Sequence, residues 1–181
     1  MDKLHLKKVF ILGSYFSLLA LVFWFFKLEY FIWPILIFSS IIWFLYEYST
    51  GGKSILKQAI FLGIFLMAFD FIVENAGGFL GFWSVDVSLF YVGYVPVEVM
   101  LLILVGGTAW AMAQPKKIYT VNVAADVLLF TLFGALGEFV LIRNGMMKYS
   151  NGWISLYALL GYFVTWLMLH FVWQKFIRKQ R

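Results

Sequence analysis

The chain has no cysteine among its 181 residues, and histidine is nearly as scarce. Without cysteine there can be no disulfide, no thiolate metal site and no cysteine nucleophile. The two histidines, His5 and His170, are too few for a metal centre built from histidines, so we expect no metal or other cofactor. Charged residues make up only 13% of the chain, about half of their usual share in soluble domains.

What the chain does contain is apolar, since 64% of its residues are hydrophobic and 22% are aromatic. A chain this short cannot bury so much apolar surface in one water-facing core. The net charge of +5 does not indicate a nucleic-acid partner, because the basic residues lie between apolar runs and form no patch. The composition therefore predicts an integral membrane protein whose partner is the lipid bilayer.

Six apolar runs have about the 20 residues that a helix needs to cross the hydrocarbon core. They are Val9–Phe26, Tyr30–Tyr48, Ala59–Phe79, Phe90–Ala113, Thr120–Ile142 and Trp153–Phe176. The first run follows a basic segment, as a signal peptide would, but it ends without a small-residue cleavage site. We therefore interpret the first run as a retained first helix. The sequence predicts an all-α polytopic bundle of about six transmembrane helices that forms one domain over residues 1–181.

The basic residues are distributed unequally over the two sides of this bundle. Eleven fall on the side of the termini, namely Lys3, Lys7, Lys8, Lys53, Lys57, Lys116, Lys117, Lys175, Arg178, Lys179 and Arg181. Three fall on the other side, namely Lys27, Arg143 and Lys148. Positive charge marks the cytoplasmic face, so we predict a multi-pass protein of the cell membrane with both termini in the cytoplasm.

Four carboxyls in or beside the apolar runs are candidate catalytic groups. Asp70 and Glu74 end the third predicted helix, Glu98 begins the fourth, and Glu138 lies near the end of the fifth. Charged groups in a membrane usually face the interior of the bundle. Asp70 and Glu74 are four residues apart and share a helix face. Clustered carboxyls raise one another's pKa, so one of the group could serve as a proton donor.

Several polar and aromatic residues near these carboxyls are candidate substrate-binding groups: Asn75, Trp83, Tyr91, Tyr94 and Arg143. A purely structural role is also open. Arg143 could pair with Glu138 or Glu74, and the carboxyls could cap loops or bond across helices. In the cytoplasmic half, Asp126 and His170 are expected to form a hydrogen bond between the fifth and sixth helices.

The stretch Phe69-Asp-Phe-Ile-Val-Glu-Asn-Ala-Gly-Gly-Phe-Leu-Gly-Phe-Trp83, followed by Tyr94-Val-Pro-Val-Glu98, resembles a known pattern. It is similar to the lycopene cyclase domain of the small membrane carotenoid cyclases, and secondarily to the related carotenoid hydratases. Those families carry an acidic residue late in one helix, a Gly-x-Trp turn and a Pro-x-Glu-Glu at the next helix start. Here Val99 replaces the second glutamate, and the second half of the chain has no Pro-x-Glu.

The resemblance implies carotenoid biosynthesis by an isomerase or hydratase that uses no redox cofactor. A carboxylic acid would protonate one end of a polyene, and the carbocation would cyclise or take up water before a base removes a proton. Glu98 or Glu74 would be the donor, and Asp70 or Glu138 the base. The faces of Tyr91, Tyr94 and Trp83 would stabilise the cation. Because of the departures, another isoprenoid or lipid substrate is equally open.

Two other classes of function remain open on the sequence. One is a small proton- or ion-coupled transporter, which should show polar groups at mid-membrane surrounded by broken helices. The other is a non-catalytic subunit of a membrane assembly, and a homo-oligomer is compatible with each reading. The segments Glu74–Gly77 and Arg143–Gly145 show a weak internal sequence similarity, which the sequence does not distinguish from chance.

Overall fold

The computed structural model describes residues 2–26, 31–86, 88–115 and 119–177. These residues form six helices, α1 (Lys3–Phe26), α2 (Ile32–Ser49), α3 (Leu56–Phe79), α4 (Val97–Ala113), α5 (Thr120–Arg143) and α6 (Ser155–Val172). Four short strands are β1 (Trp83–Val85), β2 (Tyr91–Val92), β3 (Val95–Pro96) and β4 (Met147–Tyr149). A 3₁₀ turn at Gly52–Ile55 leads into α3, and a π-helical turn at Trp173–Ile177 extends α6. The all-α helical bundle is confirmed.

Five helical segments are long and apolar enough to cross a membrane. They are Lys3–Phe26, Ile32–Ser49, Gly52–Phe79, Thr120–Arg143 and Ser155–Phe176. Helix α4 is apolar but has only 17 residues, which corresponds to about 26 Å of helix. The structure thus supports a membrane-embedded bundle, while the orientation of its termini stays a prediction.

The predicted helix limits need several small corrections. The first helix begins at Lys3 rather than Val9, and the third begins at Leu56 rather than Ala59. In both cases basic residues lie in the first turns, where long lysine stems can reach back to the membrane surface. Some predicted features lie outside the described residues: the start of the second helix at Tyr30, and the basic residues Lys27, Lys116, Lys117, Arg178, Lys179 and Arg181.

The predicted fourth helix is wrong over its first seven residues. Instead of continuing from Phe90, the chain forms a hairpin in which Tyr91 pairs with Pro96 and Val92 with Val95. Gly93 at its tip has a φ of +65°, which residues with a side chain rarely adopt. Pro96 has no N–H to donate and precedes the first helical residue of α4.

The bundle has two chemically different ends. We call the end that carries β1 and β4 the strand end, and the end that carries Asp2, the Gly52–Ile55 turn and Gln114 the tail end. Helix α3 packs on α4, α5 on α6, α2 on α4 and α1 on α5. The buried side chains between the two ends are mostly apolar, and the polar ones described there are the hydroxyls of Ser40, Thr108 and Thr131. The apolar core includes Leu62, Leu66, Trp110, Phe130 and Leu169.

An internal repeat relates α3–β1 to α5–β4. Residue numbers in the two units differ by 64 throughout, as in the helices Leu56–Phe79 and Thr120–Arg143 and the strands Trp83–Val85 and Met147–Tyr149. The turns match as well: the N–H of Phe82 bonds to the carbonyl of Gly77, and that of Met146 to the carbonyl of Leu141, each at 2.9 Å.

The β1–β4 pair has a local two-fold axis. Ser84 lies opposite its own counterpart Lys148, and Trp83 and Val85 lie opposite Tyr149 and Met147. The repeat is not the similarity noted in the sequence between Glu74–Gly77 and Arg143–Gly145, because the counterpart of Glu74 is Glu138.

Candidate functional site

Three of the four predicted catalytic carboxyls meet at the strand end. Glu74 and Glu138 occupy equivalent positions in the repeat, five residues before the ends of α3 and α5. Asp70 lies one turn deeper on α3, and its carboxyl is within electrostatic range of both glutamates. We refer to Asp70, Glu74 and Glu138 as the carboxyl cluster.

Glu74 is held by an aromatic side chain from its own unit. The indole Nε1–H of Trp83 donates to Glu74 Oε2 at 2.7 Å. The ring lies directly over Gly77, where an added Cβ would come within 2.0 Å of it. On its other side the ring contacts Trp153, with 4.7 Å between the ring centroids. Glycine at position 77 therefore lets the indole reach the carboxyl.

Glu138 accepts hydrogen bonds from two phenols. Tyr162 of α6 donates to Oε1 at 2.7 Å, and Tyr149 of β4 donates to Oε2. The Tyr162 ring lies over Gly134, where an added Cβ would come within 2.4 Å of it. Burial, together with the adjacent Glu138 carboxyl, raises the pKa of Tyr149, so this phenol stays a hydrogen-bond donor at neutral pH.

Asp70 has a different environment from the two glutamates. Its Oδ2 atom is buried and has no hydrogen-bond partner among the described residues. The position equivalent to Asp70 in the second unit is Gly134, which makes room for Tyr162. Only the first unit therefore carries a third carboxyl. The side chains of the two units differ here, although their helices and strands match in length.

Glu98, the fourth predicted catalytic residue, lies apart from the cluster. Its carboxylate accepts hydrogen bonds from the Ser88 hydroxyl and from the N–H of Leu89 at 3.0 Å. It therefore organises the loop before the hairpin. Nearby, the Tyr91 hydroxyl donates to the carbonyl of Val85 at 2.8 Å. Burial, with lesser contributions from the charges of Asp86 and Glu98, raises the pKa of Tyr91.

Two further predicted substrate-binding residues, Asn75 and Arg143, make contacts within the protein. Asn75 donates to the carbonyl of Phe71 at 2.8 Å and accepts from the N–H of Tyr94 at 3.0 Å, so it fastens the hairpin to α3. The Arg143 guanidinium lies 4.1 Å from the centre of the Trp24 ring on α1. Among the described residues, Arg143 forms no ion pair with Glu138 or Glu74.

A shallow cleft of about 110 Å³ opens beside the carboxyl cluster. Its walls include Trp83 from β1, Tyr91, Gly93 and Tyr94 from the hairpin, and Gly78 from α3. Because Trp83 also binds Glu74, the cleft and the cluster share one side chain. The aromatic candidates Trp83, Tyr91 and Tyr94 thus line one cleft, while their role in binding a substrate stays a prediction.

A second buried polar group occupies the tail end, and sequence reasoning found only part of it. Asp126 Oδ1 bonds to His5 Nε2 at 2.8 Å, and its Oδ2 accepts from Gln114 Nε2 at 2.9 Å. His170 Nε2 lies 3.5 Å from Oδ2 of the same carboxyl, so the two residues are neighbours but do not form the predicted hydrogen bond. His5 and Gln114 were missed because His5 is 121 residues away from Asp126 and no local pattern joins them.

Within the described ranges, no group of three or more histidine or acidic side chains is arranged to hold a metal ion. No family model, curated protein or solved structure matches the chain. The resemblance to the lycopene cyclase domain therefore stays a prediction, and the geometry of the strand end is the basis for any functional proposal.

Proposed function

We propose that this chain is a membrane enzyme that protonates the end of an acyclic polyene, a carotenoid or another isoprenoid, by carboxylate acid–base chemistry. The observation that carries the proposal is the convergence of Asp70, Glu74 and Glu138 in an apolar bundle. Buried carboxyls without countercharges are expensive in a membrane and are commonly functional there. Acid–base chemistry on a hydrocarbon also suits a chain whose site is walled by aromatic rings.

The contacts suggest a different role for each carboxyl. Glu138 accepts two phenol hydrogen bonds, which stabilise its negative charge and suit a base. Glu74 lies next to the cleft and delivers the proton. Asp70, one turn deeper and within electrostatic range of Glu74, shares the proton that Glu74 takes up from water before each reaction. Protonation leaves a carbocation on the polyene, which cyclises or takes up water. Glu138 accepts the proton that is released and passes it to water, which closes the cycle.

The aromatic side chains would hold and stabilise the cation. The rings of Trp83, Tyr91 and Tyr94 line the cleft, and an aromatic face attracts a cation that is shielded from water. The transporter alternative has less support, because the buried ionisable groups lie towards the two ends of the bundle, and the polar residues described between them are the hydroxyls of Ser40, Thr108 and Thr131. A coupled carrier should instead place its polar groups near mid-membrane.

Expression in cells that accumulate acyclic polyenes, followed by mass spectrometry of pigments and lipids, tests this function. We expect a new cyclised or hydrated product with the natural chain. Glu74→Gln and Glu138→Gln should each lower its formation by about 100- to 10,000-fold, the usual effect of losing a general acid or base. Asp70→Asn should also lower it, because the proton can no longer be shared.

The matched controls are two acids outside the cluster. Asp86→Asn changes an exposed acid at the same end and should leave product formation unchanged. Glu98→Gln should weaken activity only modestly, through the loop that Glu98 organises. An unchanged lipid and pigment profile on expression, or a new product that persists in Glu74→Gln and Glu138→Gln, would contradict the proposal.

A further inference from the structure

The β2–β3 hairpin breaks the two-fold symmetry of the strand end. Residues 86–96 connect β1 to α4, whereas only residues 150–154 connect β4 to α6. The first connection is thus six residues longer, which is the length of the hairpin Tyr91–Pro96. An element that one unit has and the other lacks is not needed to form the repeat.

The hairpin lies at the depth of the last turns of α3. The N–H of Tyr94 bonds to Asn75, four residues before the end of that helix, and the Tyr94 ring lies against Gly78. Helix α4 begins only after the hairpin, and its length of about 26 Å falls short of the roughly 30 Å hydrocarbon core. The hairpin therefore occupies part of the thickness that a longer fourth helix would span.

The exposed side chains of this segment are apolar. Leu89 is 83% exposed and Phe90 is 69% exposed, and Val92 and Tyr94 are also exposed. The backbone of this segment forms hydrogen bonds within the segment and to the start of α4. They are the bonds of the β2–β3 pair and the bond from Val97 N–H to the Phe90 carbonyl at 3.0 Å. Non-helical backbone is tolerated at membrane depth where it is buried in protein or lines a water-filled cavity. This hairpin lines the cleft with Tyr91, Gly93 and Tyr94, so its backbone has both internal partners and a cavity beside it.

We propose that residues 89–96 are immersed in the membrane leaflet at the strand end and form a lateral opening through which a hydrocarbon chain from that leaflet enters the cleft beside Trp83. The occupant is lipid hydrocarbon because the segment continues the apolar surface of the spanning helices. By contrast, the exposed Lys148–Asp86 ion pair, at 2.6 Å, marks where the same end meets water. The proposal needs no reaction, so it goes beyond the proposed function and can fail separately from it.

The absence of cysteine makes a single-cysteine scan possible without background labelling. Spin labels would be attached at Leu89→Cys, Phe90→Cys, Val92→Cys and Tyr94→Cys in protein reconstituted into phosphatidylcholine vesicles. Leu89, Phe90 and Val92 are exposed, so changing them should not disturb packing. Tyr94→Cys removes a ring that lies against Gly78, but the backbone bond from Tyr94 to Asn75 can remain. We expect oxygen, which dissolves in lipid, to collide with all four labels more often than a water-soluble nickel complex does. The control Lys148→Cys should show the reverse order, because Lys148 is 69% exposed on the paired strand.

A second readout tests the opening itself. A fluorophore on Tyr94→Cys, which lines the cleft, should be quenched by phospholipids with a nitroxide on the acyl chain, and the same fluorophore on Lys148→Cys should not. Nickel access at positions 89, 90 and 92 equal to that at 148 would overturn the immersion of the segment. Immersed labels at those positions without acyl-chain quenching at 94 would overturn the lateral opening.

Discussion

Gly77 shows how closely the site depends on single residues. The indole of Trp83 covers this glycine and, from there, donates its hydrogen bond to Glu74. A similar contact forms at a position that is not equivalent in the repeat, where Tyr162 of α6 covers Gly134 of α5 and donates to Glu138. In both places a glycine brings an aromatic donor within reach of a carboxyl.

We expect Gly77→Ala to destabilise the protein by about 1–3 kcal/mol, the usual cost of overpacking a filled site. The new Cβ would lie 2.0 Å from the Trp83 ring, so the indole must move and release Glu74. Thermal unfolding in detergent measures the loss. Gly137→Ala is the matched control, because no atom lies within 4 Å of the added Cβ. Equal unfolding temperatures for the two variants would show that the Trp83 contact is not tight.

At the scale of elements, the tail end is held by side chains from four different helical segments. Asp126 of α5 bonds to His5 of α1 and to Gln114 at the end of α4, and it lies beside His170 of α6. A second link joins α1 to α2, where Lys8 pairs with the buried Glu47 at 2.7 Å. These contacts fix the ends of the helices that carry the strand-end site.

We expect Asp126→Ala to cost about 3–5 kcal/mol of unfolding free energy, because His5 and Gln114 would lose a buried acceptor. Titration with sodium dodecyl sulfate measures this change. Asp86→Ala removes an acid from an exposed ion pair and should cost no more than about 1 kcal/mol. A loss for Asp126→Ala as small as that for Asp86→Ala would mean that the tail-end contacts do not hold the helices together.

The sequence predicted the elements that are encoded by residues close together in the chain. Runs of apolar residues located all six helices, and the spacing of Asp70 and Glu74 on one face anticipated part of the cluster. The hairpin at Tyr91–Pro96 was missed because its residues are as apolar as a helix in lipid, so hydropathy does not separate the two. His5 was missed because its partner is distant in the chain. The sequence left open whether three or four carboxyls converge, because the loop contacts of Glu98 leave no sequence pattern.

At the scale of the whole molecule, the repeat explains why the carboxyls meet. An approximate two-fold axis through the β1–β4 pair brings equivalent residues towards one another, and Glu74 and Glu138 are such a pair. The two units then differ where function would require it: Asp70 has a glycine as its counterpart, and only the first unit carries the hairpin. Repeats with a shared site at their interface are common among membrane folds.

The central claim is that the carboxyl cluster transfers a solvent-derived proton to carbon. The most direct test is to incubate the purified, reconstituted protein with acyclic polyenes in D₂O and to analyse the product by mass spectrometry. We expect one non-exchangeable deuterium for each polyene end that reacts, whether the cation cyclises or takes up water, and no product with Glu74→Gln. A product without carbon-bound deuterium, or with the same deuterium content and yield in Glu74→Gln, would contradict the claim.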